Sequence, residues 1–155
     1  MNTLKDLLEI AIQGEVNSQK LYQRGAETAG TEEIKRFFEQ LVKEETNHEN
    51  LLFNIRHTEL YDLDIPVNDP ELFEAARSSH GSTAPFDENW NTEDILAAAM
   101  KREYTAMTRY KKAAESTDND ELVTLFSNLS AEESNHHQTI EKRYNMLKGL
   151  KEKEF

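Results

Sequence analysis

Six residues stand out by type and spacing: Glu15, Glu45, His48, Glu103, Glu133 and His136. Each interrupts an apolar stripe of three-and-four spacing. Glu15 follows Leu4, Leu8 and Ala11 and precedes Tyr22 and Ala26, while Glu133 and His136 fall between Leu122, Phe126, Leu129 and Ile140. Every such stripe should bury hydrocarbon, and a carboxylate buried alone is strongly destabilising. Four of them converging in one core would repel each other into protonation or unfolding, so the pattern requires positive charge. Two divalent cations balance four glutamates and two neutral imidazoles to zero and take up their lone pairs. The chemistry implied is a dinuclear metal site with oxygen and nitrogen ligands. One Glu-x-x-His is a common accident of acidic helices. Glu45-Thr-Asn-His48 and Glu133-Ser-Asn-His136 together, with two further glutamates, are far more specific. The absence of cysteine excludes thiolate metal sites, disulfides, iron–sulfur centres and thiol nucleophiles.

Four long helices are needed to position these groups. Cap signals at Thr3 with Asp6, at Gly30-Thr31, at Asn91 with Asp94 and around Ser116 to Asp120 predict helices over 3–29, 32–57, 92–116 and 120–149. Glu15 lies 15 residues before Gly30 and Glu45 15 after it, so an antiparallel hairpin brings them level. The same holds for Glu103 and Glu133 about Asp118. At an offset of 88 the chain repeats itself, with 13 identities over the 41 positions from Leu8 to His48. Shared apolar spacing explains the Leu, Ala and Phe matches but not Glu and His on that face. Residues 58–91 hold all three prolines and are too long for a tight turn, so they form a crossover, with a short helix expected over 70–79. The fold expected is all-α: one domain over 1–155, a ferritin-like four-helix bundle made of two repeated helical hairpins joined by a long crossover.

At Glu15 with Tyr22, Glu45-Thr-Asn-His48, Glu103-Tyr104-Thr105 with Tyr110, and Glu132-Glu133-Ser-Asn-His136, the sequence resembles the rubrerythrin family. Its ligand pattern is that of ferritin-like di-iron and di-manganese carboxylate proteins. The likeness covers both hairpins and leaves out the crossover. It implies that Glu45 and Glu133 bridge two metals, with Glu15, His48, Glu103 and His136 as terminal ligands. Two departures from the family pattern are visible. Met100 stands where rubrerythrins have a further glutamate, so the ligand exchange that glutamate supports is not implied. Without cysteine there is also no rubredoxin domain in this sequence, and electrons would come from a separate donor protein. Bacterioferritin has the same ligand order but a haem-ligating methionine where this chain has Thr46, and a shorter crossover.

The resemblance thus implies two iron ions, with manganese or a mixed pair as alternatives, and reduction of peroxide or dioxygen between diferrous and diferric states. Ferroxidase activity tied to iron storage or delivery is the rival reading, and a metal-free interaction bundle the third. A homodimer is implied by likeness only. With 18 basic against 30 acidic residues the net charge is −12 and no basic cluster offsets it, which argues against nucleic acid. Lys5, Asp6 and Glu9 among the first apolar residues fit neither a signal peptide nor a membrane span, so a cytoplasmic protein is expected. Tyr22 and Tyr110, seven residues after Glu15 and Glu103, are either plain core aromatics or hydrogen-bond donors to the carboxylates. Glu44 and Glu132 point about 100° off the core face and are expected in solvent. His57, His80 and His137 read as surface residues, and Phe86 and Trp90 as pins for the crossover.

Overall fold

The computed structural model describes residues 2–79 and 85–153, with side chains throughout except at 75–79 and 150–153. Its helices are α1 (Leu4–Thr28), α2 (Glu32–His57), α3 (Pro70–Ser79), α4 (Thr92–Glu115) and α5 (Asp120–Lys153). Side-chain caps satisfy the amides that each helix start leaves without a partner. Thr3 and Asp6 exchange bonds of 3.3 and 2.9 Å in a capping box, and Asn91 and Asp94 do the same for α4. Thr31 caps α2 and Asn119 caps α5. Asp69 caps α3, with Pro70 in the first turn, where its missing N–H is harmless.

One expected boundary differs by more than a residue, and one cap differs in conformation. Gly30 does not end α1 as a left-handed cap: Ala29 is extended and no glycine among the described residues has positive φ. At the far end α5 continues to Lys153, past the expected stop at 149. Gly149 weakens a helix by about 1 kcal/mol relative to alanine, too little to end one flanked by strong helix formers. His80 lies outside the described residues.

The helices pair as α1 with α2 and α4 with α5, and the two hairpins meet chiefly along α1 and α4. The crossover is sewn to the start of α1. Leu4 and Lys5 donate their amides to the carbonyls of Ile65 and Leu63 at 2.8 and 2.9 Å, and Val67 donates to Asn2. This satisfies first-turn amides and buries Leu63, Val67 and Phe73 in the core. Phe86 and Trp90 pack onto the opposite end of the bundle, where Arg24 lies 5.9 Å above the Phe86 ring. The core is divided in two. One half gathers around Leu8, Leu52, Phe126 and Leu129, the other around Leu21, Phe38, Leu96 and Ile140. Between them lies a layer of buried acids and imidazoles. Among the described residues no helix is long and apolar enough to cross a membrane.

Candidate metal centre

All six residues singled out by spacing meet in that layer. Glu15, Glu45, Glu103 and Glu133 are 1–2% exposed, and His48 and His136 are buried beside them. One group comprises Glu15, Glu45, His48 and Glu133, a second Glu45, Glu103, Glu133 and His136, and within each the candidate ligand atoms lie within 4.8 Å of one another. Glu45 and Glu133 belong to both. Nδ1 of His48 is 3.0 Å from Glu133 Oε1 and 3.5 Å from Glu15 Oε1. His136 Nδ1 is 3.0 Å from Glu45 Oε1 and 3.3 Å from Glu133 Oε1.

The donor set passes a direct test of fit to a pair of cations. Among the described residues eight buried side-chain nitrogen or oxygen atoms lack a hydrogen-bond partner, and six of them are one atom from each of these six residues: Glu15 Oε2, Glu45 Oε1, His48 Nδ1, Glu103 Oε2, Glu133 Oε1 and His136 Nδ1. Orphaned buried polar atoms are rare in folded proteins. Here they converge, and their spacing suits atoms about 2.1 Å from a shared ion, which sit about 3 Å apart.

The atoms left over are held from outside. Tyr22 Oη donates to Glu103 Oε1 and Tyr110 Oη to Glu15 Oε1, each bond running from one hairpin to the other. Both phenols are fully buried, and burial raises their pKa, so they keep the proton they donate. They therefore act as donors to the carboxylates as well as core aromatics. Each fixes one oxygen of its carboxylate and leaves the other among the orphaned atoms.

Glu44 and Glu132 correct the expectation of a solvated face. Glu132 Oε2 is 2.7 Å from His48 Nε2, and Glu44 Oε2 is 2.7 Å from His136 Nε2. Although half-exposed, both reach across the seam between α2 and α5. A carboxylate on Nε2 holds the proton there and leaves the Nδ1 lone pair pointing inward, the tautomer a metal requires. A signal for this pair existed in the repeat, since Glu44 and Glu132 are identical at offset 88. His57 is exposed and tilts onto Phe53, and half-buried His137 lies near Tyr104, so neither joins the centre. Thr46 bonds to Gln19 and to the Val42 carbonyl.

Without cations the layer balances its charge with protons. Burial works against an imidazolium at His48, but Glu133 and Glu15 outweigh it and raise the pKa to about 11. His136 is likewise raised to about 10 against burial, by Glu103 and Glu133. Burial pushes Glu103 up to about 8 even against the pull of His136, and drives Glu45 well above the usual carboxylate range. At Glu133 burial is overcome by the two histidines, which hold it well below that range.

The rubrerythrin family model matches residues 6–77 and 94–155, most of the chain. The chain belongs to the rubrerythrin family. Its solved structural neighbours include a hypothetical protein from Pyrococcus furiosus, 23% identical, covering 95% of this chain and 91% of the other with a TM-score of 0.70. Another is a candidate ferritin-like diiron-carboxylate protein from Thermotoga maritima, 18% identical, covering 93% and 95% with a TM-score of 0.72. At these identities the likeness shows that this rubrerythrin-family chain shares their fold. No curated protein sequence matches it. Met100, at the position of the further rubrerythrin glutamate, is half-buried and packs in the second half of the core.

Proposed function

We propose that this protein is a non-haem di-iron oxidoreductase that reduces hydrogen peroxide or dioxygen. The observation that carries the reading is the set of six converging orphan atoms, two of them on carboxylates common to both groups. Glu45 and Glu133 would bridge the ions, Glu15 with His48 would complete one and Glu103 with His136 the other. When bound, the two irons would supply one electron each, taking one peroxide and two protons to two waters.

The protein's own part is to orient and to insulate. Tyr22 and Tyr110 hold Glu103 and Glu15 by single oxygens, and Glu44 and Glu132 fix the imidazole tautomers. The apolar halves of the core close the layer on its two sides along the bundle. A cavity of about 850 Å³ reaches Glu15 and Glu45 from the α1 and α4 side and gives a small oxidant access. These 155 residues contain no cysteine to hold a second redox centre, so the reading requires an electron donor outside them.

The test is metal content after anaerobic loading with ferrous iron, for wild type beside Glu45→Ala/Glu133→Ala, followed by stopped-flow oxidation. About two irons per wild-type chain and close to none in the variant are expected, with rapid oxidation by peroxide or dioxygen. No retained iron would overturn the iron assignment and leave manganese or a metal-free bundle. Iron retained in a large hollow assembly would favour storage instead.

A further inference from the structure

The 850 Å³ cavity is far larger than peroxide or dioxygen needs and is of the size that encloses an organic ligand. Its lining combines Leu72, Pro85 and Trp90 of the crossover with Arg102 and Arg109 of α4. These two differ from the other arginines whose side chains are described. Arg24, Arg36, Arg56 and Arg143 each pair with a glutamate. Arg102 and Arg109 have no ion-pair or hydrogen-bond partner among the described residues, in a chain with 30 acids to choose from. The Nε of Arg109 is buried and orphaned; among the described residues the other such atom outside the metal layer is the Nε of Arg24, whose Nη1 pairs with Glu27.

The Arg109 guanidinium lies against α1 at Gly14, where a Cβ would stand 2.6 Å from Nη1. Nor does the repeat impose these arginines. At offset 88, Arg102 corresponds to Gly14 and Arg109 to Leu21, which is fully buried in the core. Bundle packing is thus satisfied at the equivalent places without any charge. The acids in the lining are otherwise engaged: Asp69 and Asp94 cap helices, Glu15 and Glu45 belong to the centre, and Glu71 is exposed.

We propose that this cavity binds a small organic oxyanion, its phosphate or carboxylate head on Arg102 and Arg109 and its apolar part against Leu72, Pro85 and Trp90. The planar fork of a guanidinium matches either head with two parallel hydrogen bonds, and a cation held away from water favours an anion over a neutral ligand. Glu15 and Glu45 border the same cavity, but the groups that would hold the anion are not proposed metal ligands, and the proposal does not depend on the iron assignment.

Trp90 is the only tryptophan, so its emission reports on the cavity. Metal-free and ferrous-loaded full-length protein would be titrated with butyl phosphate, butyrate and butanol. A saturable change is expected with an anionic ligand in both forms and none with butanol, and the tighter of the two anions identifies the head group. Arg102→Met/Arg109→Met should weaken it at least about tenfold while circular dichroism and metal content stay unchanged. Gly14→Ala displaces the Arg109 guanidinium while keeping both arginines, and should weaken binding even if the double variant fails to fold. The proposal is overturned by no saturable response to either anion, by an equal response to butanol, by binding only in the loaded protein, or by unchanged affinity in a folded double variant or in Gly14→Ala.

Discussion

Filling the centre at neutral pH has to displace protons, and the structure sets how many. His48 and His136, with pKa values of about 11 and 10, each hold one at pH 7. Glu103, at about 8, is about nine-tenths protonated there, and burial drives Glu45 well above the usual carboxylate range. Binding requires neutral imidazole and ionised carboxylate, so about three protons leave these groups as two divalent ions enter, and any proton on Glu45 adds to them. Calorimetry with ferrous or manganous ions in two buffers of different ionisation heat measures that number. The sign follows directly: affinity rises with pH, and the combined constant for two ions changes by at least about 10³ per pH unit near pH 7. Above about pH 8 Glu103 no longer contributes and the slope flattens. Release of fewer than about two protons, or an affinity unchanged between about pH 6 and pH 8, would refute the picture of protons standing in for metal.

The metal-free protein should lose stability as pH rises from about 6 to about 9. The folded chain keeps protons on Glu103, His48 and His136 that the unfolded chain releases near 4.5 and 6.5, and scanning calorimetry should show Tm falling for the stripped protein but not in parallel for the loaded one. Removing the Nε2 acceptor by Glu132→Ala or Glu44→Ala should weaken metal binding about 10- to 100-fold in equilibrium titration, without unfolding the chain. Two glycine substitutions should diverge in denaturant titration. In Gly25→Ala the new Cβ meets three atoms of the buried Phe38 ring at 2.8 Å, which should destabilise by about 1–3 kcal/mol. In Gly14→Ala it meets the mobile end of Arg109, and the gain in helix propensity should leave stability unchanged or up to about 1 kcal/mol higher.

The centre was legible because burial turns an ordinary residue type into an anomaly. A glutamate within a leucine stripe is conspicuous, and the equal distances of Glu15 and Glu45 from the turn set their height before any coordinates. The short helix over 70–79 could likewise be read from Pro70 in its first turn. Glu44 and Glu132 could not, because a helical wheel assigns faces to one helix at a time. It cannot show that an outward side chain is long enough to reach an imidazole on the opposite hairpin. Arg102 and Arg109 escaped notice for the same reason: their lack of partners is a property of the assembled walls of the cavity. Gly30 shows the opposite error, since glycine permits a left-handed cap without requiring one.

The four bonds that hold the ligands from outside all cross between the hairpins, and each has a mirror: Tyr22 to Glu103 with Tyr110 to Glu15, and His48 to Glu132 with His136 to Glu44. Neither hairpin makes any of these four bonds within itself. Two separate copies of one such hairpin, docked about a twofold axis through the centre, would present the same groups in the same places. A gene half this length could therefore reach the arrangement through dimerisation. Joining the copies through the crossover frees each half to change without the other, and Arg102 at the place of Gly14 is a change that a strictly symmetric dimer would have had to make twice.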